Sequence, residues 1–450
     1  MSNLNRQLRT LINRMFRSLA FLPLPMLLGG IVVGAGLYYV EATTEASKWL
    51  SEEMPALAVA SENTARTALS LLVGGLITLT VFTFTQIMGL FSQVASSYSP
   101  RLLPLLTGSR ALQSVMGVYL SVIVINVIVL LGIDTTNGAR IPVLSILVCA
   151  VFGVGCLIVF IYFIATISNK IQVTRIINLA YDKSLASFEE VERTKNFAVS
   201  DNKPDFSNWF AIPAPRDGYL GTVDFHRLSE LAKKYDTELR IGVPKGHYVP
   251  KYQPLIESRE KLSEHQIEDV LAAVAPVSDR YDDWFLPPIR LLTEIAVKAM
   301  SPGINDPGTA VDVLDRLTSL LAHLMHLPAN NCFQTENGNP VWLRTHTFPE
   351  VATAVFQEIR TYSRTDIIVS RKLYQTFYHL LITAGNDQVC ITSIKEQIAA
   401  LIEDNRRHIK NSYDRQLLAR EILQHRQKVK EVRKEIHHLR DPKLAEAGYR

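Results

Sequence analysis

The residues with the most chemical content begin in an apolar run, Leu69 to Leu90. They continue into a Ser-rich stretch ending at Ser99-Pro100-Arg101. At 100° per residue, Gly74, Gly75, Thr78, Thr85, Gln86, Gly89, Ser92, Gln93 and Ser96 share one broad helical face. Phe82 interrupts that face, and Thr80 and Thr83 lie outside it. Hydroxyls and carboxamides so arranged can replace part of the hydration shell of a permeating species. The same residue types also hold spanning helices together, because small side chains let backbones approach and hydroxyls bond across the contact. Thr78, Thr85, Gln86, Ser92 and Gln93 are therefore candidates for a pore wall or a helix seam. Asn126, the most polar side chain of a later apolar run, joins them.

Three further groups invite the same question. Arg101 and Arg110 flank the end of the polar run, where they either snorkel to lipid headgroups or ring the mouth of a pore. Ser301 to Ala310 combines two prolines that fix φ, two glycines that permit positive φ, and Asn305 and Asp306, which can bond nearby backbone. This predicts a rigid corner between helices with Asp306 or Thr309 as the N-cap. The functional alternative is an ion or polar-ligand site on Asn305, Asp306 and Thr309. His323 and His326 sit one helical turn apart, but no acid or Cys stands at ligand spacing, so no metal site is expected. Asp312 and Asp315 on the same helix are expected on a solvated face. The chain has no Walker loop, nucleophile elbow, His-Glu-x-x-His or Gly-x-Gly-x-x-Gly motif, so neither an enzyme nor a cofactor is expected.

The elements that must position these residues are membrane spans. The chain has 450 residues, 48% of them hydrophobic, and the apolar runs are concentrated before residue 170. Four runs, Leu19–Val40, Leu69–Leu90, Leu112–Ile133 and Ile141–Ser168, each exceed the ~20 residues needed to cross a bilayer core. None carries an ionisable residue in its interior, which argues against a pump or voltage sensor. Gly30 and Gly34 have the small-xxx-small spacing of a close helix contact. Basic residues precede span one, separate spans two and three, and follow span four, whereas residues 41 to 66 are acidic. By the positive-inside rule both termini are cytoplasmic. Residues 1–18 read as a basic amphipathic segment at the membrane surface, ahead of a four-helix domain over 19–168. The net charge of +4 is too small to suggest nucleic acid, and four scattered cysteines suit free thiols in a reducing compartment.

The remainder reads as a cytosolic α+β region. A juxtamembrane helix and linker cover 169–215. A small β-rich, barrel-like module covers 216–262, with strand signals at Gly218–Val223 and Glu238–Val243 and a helix capped by Asp224. Its Gly246-x-x-Val249 and Pro254-Leu255 resemble the barrel-sandwich modules of lipoyl-like domains, without the attachment lysine. From Ser263, which opens a capping box with Gln266, the pattern is helical. It gives a helical domain over 263–345, with a loop from Pro328 to Pro340, and a C-terminal helical region over 346–450. The last helix, mostly charged, suits a solvated face or an intersubunit coil.

Two stretches together resemble a known family. Ser99-Pro100-Arg101 follows the polar-faced second span, and Ala299-Met-Ser-Pro-Gly-Ile-Asn-Asp-Pro-Gly-Thr-Ala310 lies in the cytosolic half. Both are similar to the bacterial membrane-protein family known as domain of unknown function 2254. That resemblance implies a bacterial membrane protein over most of the chain and assigns no activity. The residues themselves leave two expectations. One is a homo-oligomeric inner-membrane channel whose partners are lipid and ions, with the cytosolic region as gate or vestibule. The other is a membrane-anchored sensor or scaffold that binds a small ligand or protein near Asn305-Asp306.

Overall fold

Among the described residues four helices are long and apolar enough to cross a membrane: α1 (Pro23–Thr43), α3 (Glu62–Ser97), α4 (Arg110–Leu131) and α5 (Val143–Lys170). They come from a computed structural model that describes residues 20–44, 46–53, 61–103, 109–133, 141–170, 173–193, 197–198, 204–277, 285–327, 330–335 and 338–439. The basic segment expected over 1–18 lies outside the described residues, as does part of the linker before 204. The chain divides into two units, Met1–Gln172 and Val173–Arg450.

In the first unit α1 packs along α4. The spacing of Gly30 and Gly34 makes that approach possible: a Cβ on Gly30 would lie 2.8 Å from the Ser121 carbonyl oxygen, and one on Gly34 would lie 2.8 Å from Ile128 Cδ1. Pro23 and Met26 lie beside Gly117, and Tyr38 lies beside Gly132, so α1 and α4 run parallel. Helix ends are tied together by charge. Glu41, near the end of α1, accepts hydrogen bonds from the Ser145 N–H at 2.9 Å and the Ser145 hydroxyl at 3.1 Å. Ser47 on α2 (Ala46–Glu53) accepts from the Leu144 N–H at 3.0 Å. A carboxylate placed there meets the unpaired N–H groups and positive dipole end of α5. Arg66, near the start of α3, bonds Glu62 at 2.8 Å and donates to the Ile133 carbonyl at 2.7 Å, just past the end of α4. The end of α1, the start of α3, the end of α4 and the start of α5 thus share one side, an up-down-up-down order.

The second unit opens with α6 (Val173–Arg193). Two sheets follow. The larger has the order β1 (Phe197–Ala198), β8 (Asn330–Phe333), β9 (Val341–Arg344), β4 (Leu239–Ile241), β6 (Pro254–Ser258), β2 (Phe210–Pro213), with β9 and β4 parallel and the other pairs antiparallel. The smaller is β5 (Tyr248–Val249), β3 (Gly218–Val223) and β7 (Val274–Val277). Their core holds Ile212, Leu220, Leu239, Ile241, Ile256, Val341 and Leu343, with Leu228 and Val270 from α7 (Phe225–Lys234) and α8 (Glu264–Ala272). Asp224 caps α7, and Ser263 with Gln266 forms the expected capping box on α8. The uninterrupted helical pattern expected after Ser263 is corrected: β7, β8 and β9 interrupt it, and β8 lies in the stretch expected to be a loop. Each is four residues long, too short for alternation to stand out from helical spacing, and each has a partner strand remote in sequence, although β8 and β9 also pair with one another. The helices α9 (Leu286–Ala299), α10 (Pro307–His326), α11 (Phe348–Ser363), α12 (Ile367–Thr383) and α13 (Gln388–His408) follow in the same unit. The terminal helix α14 (Ser412–Leu439) packs on α12, and α6 packs on α9 and α10.

Candidate functional site

The 36 residues of α3 give it two opposed sides. Ala65, Leu69, Leu76, Thr83, Ile87, Leu90 and Val94 are buried against the other spans. Gly74, Gly75, Thr78, Thr85, Gln86, Gly89, Ser92, Gln93 and Ser96 are all exposed. A Cβ at Gly74, Gly75 or Gly89 would meet no atom within 4 Å. The intrachain seam therefore runs along the apolar side, and the polar face is left open. From Gly74 to Ser96 it extends about 33 Å at 1.5 Å per residue, the thickness of a bilayer core of about 30 Å. Ile77, Val81, Phe84 and Met88 form an exposed apolar flank beside it. Phe82, which interrupts the face, lies edge-on to Phe160 of α5, with centroids 5.8 Å apart.

Within the open face three of the hydroxyl donors are already used. Thr78 Oγ1 donates to the Gly74 carbonyl at 2.9 Å, Thr85 Oγ1 to the Val81 carbonyl at 2.9 Å, and Ser96 Oγ to the Gln93 carbonyl at 3.0 Å. What these side chains offer outward is lone pairs. Gln86 and Gln93 add carboxamides able to donate and accept.

Asn126 is elsewhere. It is buried on α4, its Nδ2 donating to the Val122 carbonyl at 2.8 Å, and its Oδ1 has no hydrogen-bond partner among the described residues. Thr83 and Tyr119, which the sequence did not single out as site residues, are also buried. Their hydroxyls lie near one another but beyond the geometry of a full hydrogen bond. Their positions among apolar residues carry no sequence signal, because only tertiary packing turns them toward each other. Arg110 is exposed at the start of α4. Arg101 falls in a 3-10 turn, Pro100–Leu102, and its side chain lies outside the described part.

In the second unit the Ser301–Ala310 segment is a corner between α9 and α10. Asn305 takes φ +47°, the left-handed region, and its N–H donates to the Ser301 carbonyl at 2.9 Å. Asp306 is the N-cap of α10: Oδ1 accepts from the Thr309 N–H at 3.1 Å and Oδ2 from the Thr309 hydroxyl at 2.6 Å. Both carboxylate oxygens of the candidate ligand residue are thus engaged by Thr309, which is itself buried. His323 bonds the Ser319 carbonyl at 2.8 Å and stacks on Phe188. Asp315 pairs with Lys372. Among the described residues no three His, Cys, Asp or Glu side chains are grouped to hold a metal. Cys149, Cys156, Cys332 and Cys390 are free and buried.

His346, two residues past β9, bonds the Lys245 carbonyl at 3.2 Å and meets Phe285 edge-on. Burial lowers its pKa below the usual 6.5, against the raising effect of the Lys245 carbonyl.

No match was found among curated proteins or among solved structures. A family model described as "Predicted membrane protein (DUF2254)" matches residues 17–379, through all four spans, both sheets and the Ser301–Ala310 corner. The resemblance carried by Ser99-Pro100-Arg101 and the Asn305-Asp306 corner is therefore confirmed, and the chain belongs to the DUF2254 family of membrane proteins.

Proposed function

We propose that this chain assembles with copies of itself around the exposed polar face of α3 to form a permeation pathway. The membrane is read as a bacterial inner membrane, with residues 173–450 on the cytoplasmic side. One observation carries the reading: the side of α3 that suits water is the side no other span of the chain covers. Against hydrocarbon such a face would leave carboxamides without partners, at several kcal/mol for each unsatisfied group. A second copy or a water-filled lumen removes that penalty. With the Thr78 and Thr85 hydroxyl hydrogens turned back onto the helix, their outward lone pairs suit a cation or water better than an anion. The cytoplasmic placement follows from Arg101, Arg110, Lys170 and Arg175 near the inner ends of the spans. No catalytic role is part of this reading. The sensor alternative gains less support, since Asp306 already serves the helix it caps.

Purified full-length protein in liposomes should pass ions, and Thr85→Leu or Gln86→Leu should lower the flux at least tenfold. Wild-type liposomes without flux, together with a monomeric mass in mild detergent, would overturn the proposal.

A further inference from the structure

Along α14 the positions Leu418, Ile422, His425, Val429, Val432, Ile436 and Leu439 recur at alternating spacings of four and three. That is the a/d pattern of a coiled coil, with β-branched Ile422, Val429 and Ile436 at a. The chain itself covers the first half of the stripe. Leu418 is buried, Tyr378 of α12 donates to the Ile422 carbonyl at 3.1 Å, and its ring stacks on His425 with centroids 4.8 Å apart. Arg371 pairs with Glu421 at 2.5 Å. The order of these pairings makes α12 and α14 parallel. Because α12 ends at Thr383, five residues after Tyr378 (383 − 378), it draws level with about residue 430 of α14. Yet α14 continues to Leu439, about nine residues past that level (439 − 430).

What fits this remainder is set by its width. From Gln427 to Leu439 every residue outside the stripe is polar: Gln, Lys, Glu, Arg or His. A strict two-in-seven stripe is the width of a helix–helix seam, whereas a helix lying on lipid presents a face of about 100° or more. Chains anchored in one membrane share an orientation, so like helices meet parallel and in register. β-branched residues at a favour two parallel strands. We propose that the distal half of α14, from Val429 to Leu439, pairs in parallel with the same segment of a second copy of this chain. The pairing rests on the assembly in the reading above and not on conduction. At the g and e positions that flank the seam, Lys428 opposes Arg433 and Glu435 opposes Arg440, one repulsive and one attractive pair that offset each other. Two heptads are too few to hold alone in solution, and the shared bilayer supplies the effective concentration.

The test uses the full chain in liposomes, where the four native cysteines are buried and do not compete. Mild oxidation should link Val432→Cys or Ile436→Cys into covalent dimers. Lys434→Cys, on the opposite side of the helix, should give at least fivefold less. Equal linking at all three positions, or none at 432 and 436, overturns the proposal. Quenching of a label at Ile436→Cys by a lipid-soluble reagent, with no dimer, would assign the stripe to the bilayer instead and equally overturn it. Dimers without wild-type flux sink the pore reading and leave this one, while flux without dimers does the reverse.

Discussion

Two glycine-bearing faces lie in the same membrane unit and meet opposite fates. Gly30 and Gly34 of α1 lie hard against α4, where an added methyl group would collide with a backbone carbonyl or with Ile128. Gly74, Gly75 and Gly89 of α3 face nothing within 4 Å. Both helices are apolar, and both stripes are small. The difference lies in what accompanies the glycines. Leu, Ile and Val surround the first pair, so closing that seam satisfies every neighbour. The second set is interleaved with Thr, Ser and Gln, and the chain buries the apolar side of α3 instead. Small residues permit close approach; the polarity of their neighbours decides whether the chain uses that permission internally.

The contrast can be broken by adding volume to each face. Gly30→Val should destabilise the unit most, by roughly 3 kcal/mol or more from overpacking against Ser121. Gly75→Val should change protomer stability by only about 0.5 kcal/mol. Both are read from unfolding of the purified protein in detergent. Equal losses would mean that the α3 face is covered within the chain. A closed feature of the second unit sharpens the same point. Asp306→Ala removes the N-cap of α10 and should cost about 1 kcal/mol in thermal unfolding. Nearly full recovery in Asp306→Asn would separate a cap from a charge-dependent ligand site.

The smallest effect concerns His346. Its folded pKa is depressed by burial, so the unfolded chain binds the proton more readily. The stability from keeping it neutral is fully present above pH ~6.5 and is lost as pH falls below that value toward the folded pKa. The slope cannot exceed about 1.4 kcal/mol per pH unit. His346→Gln should flatten that part of the stability curve, and an unchanged slope would remove His346 as its source.

Much of the architecture was legible in the residues. Four apolar runs gave four spanning helices, and Asp224, Ser263 and Asp306 gave caps where their spacing placed them. These are local signals, since a cap and its helix lie within four residues. The strands β7, β8 and β9 were not legible, because each is only four residues long and takes its place in a sheet from a remote strand: β7 from β3, β8 from β1 and β9 from β4. For the polar residues of α3 the face was legible and its partner was not. Asn126, read beside Thr85 and Gln86, belongs to a buried seam, and Thr83 and Tyr119 join that interior through packing alone.

By itself the sequence determined that the chain enters a membrane four times, with no charge inside the spans and a polar stripe on the second. Hydrophobicity and helical period act over one or two turns and need no knowledge of the fold. Only the tertiary structure decided which side of α3 is buried, that Gly30 and Gly34 close on α4, and that the corner at Asp306 is occupied by Thr309. Those outcomes follow from competition among several faces for the same neighbours, which packing settles and composition does not.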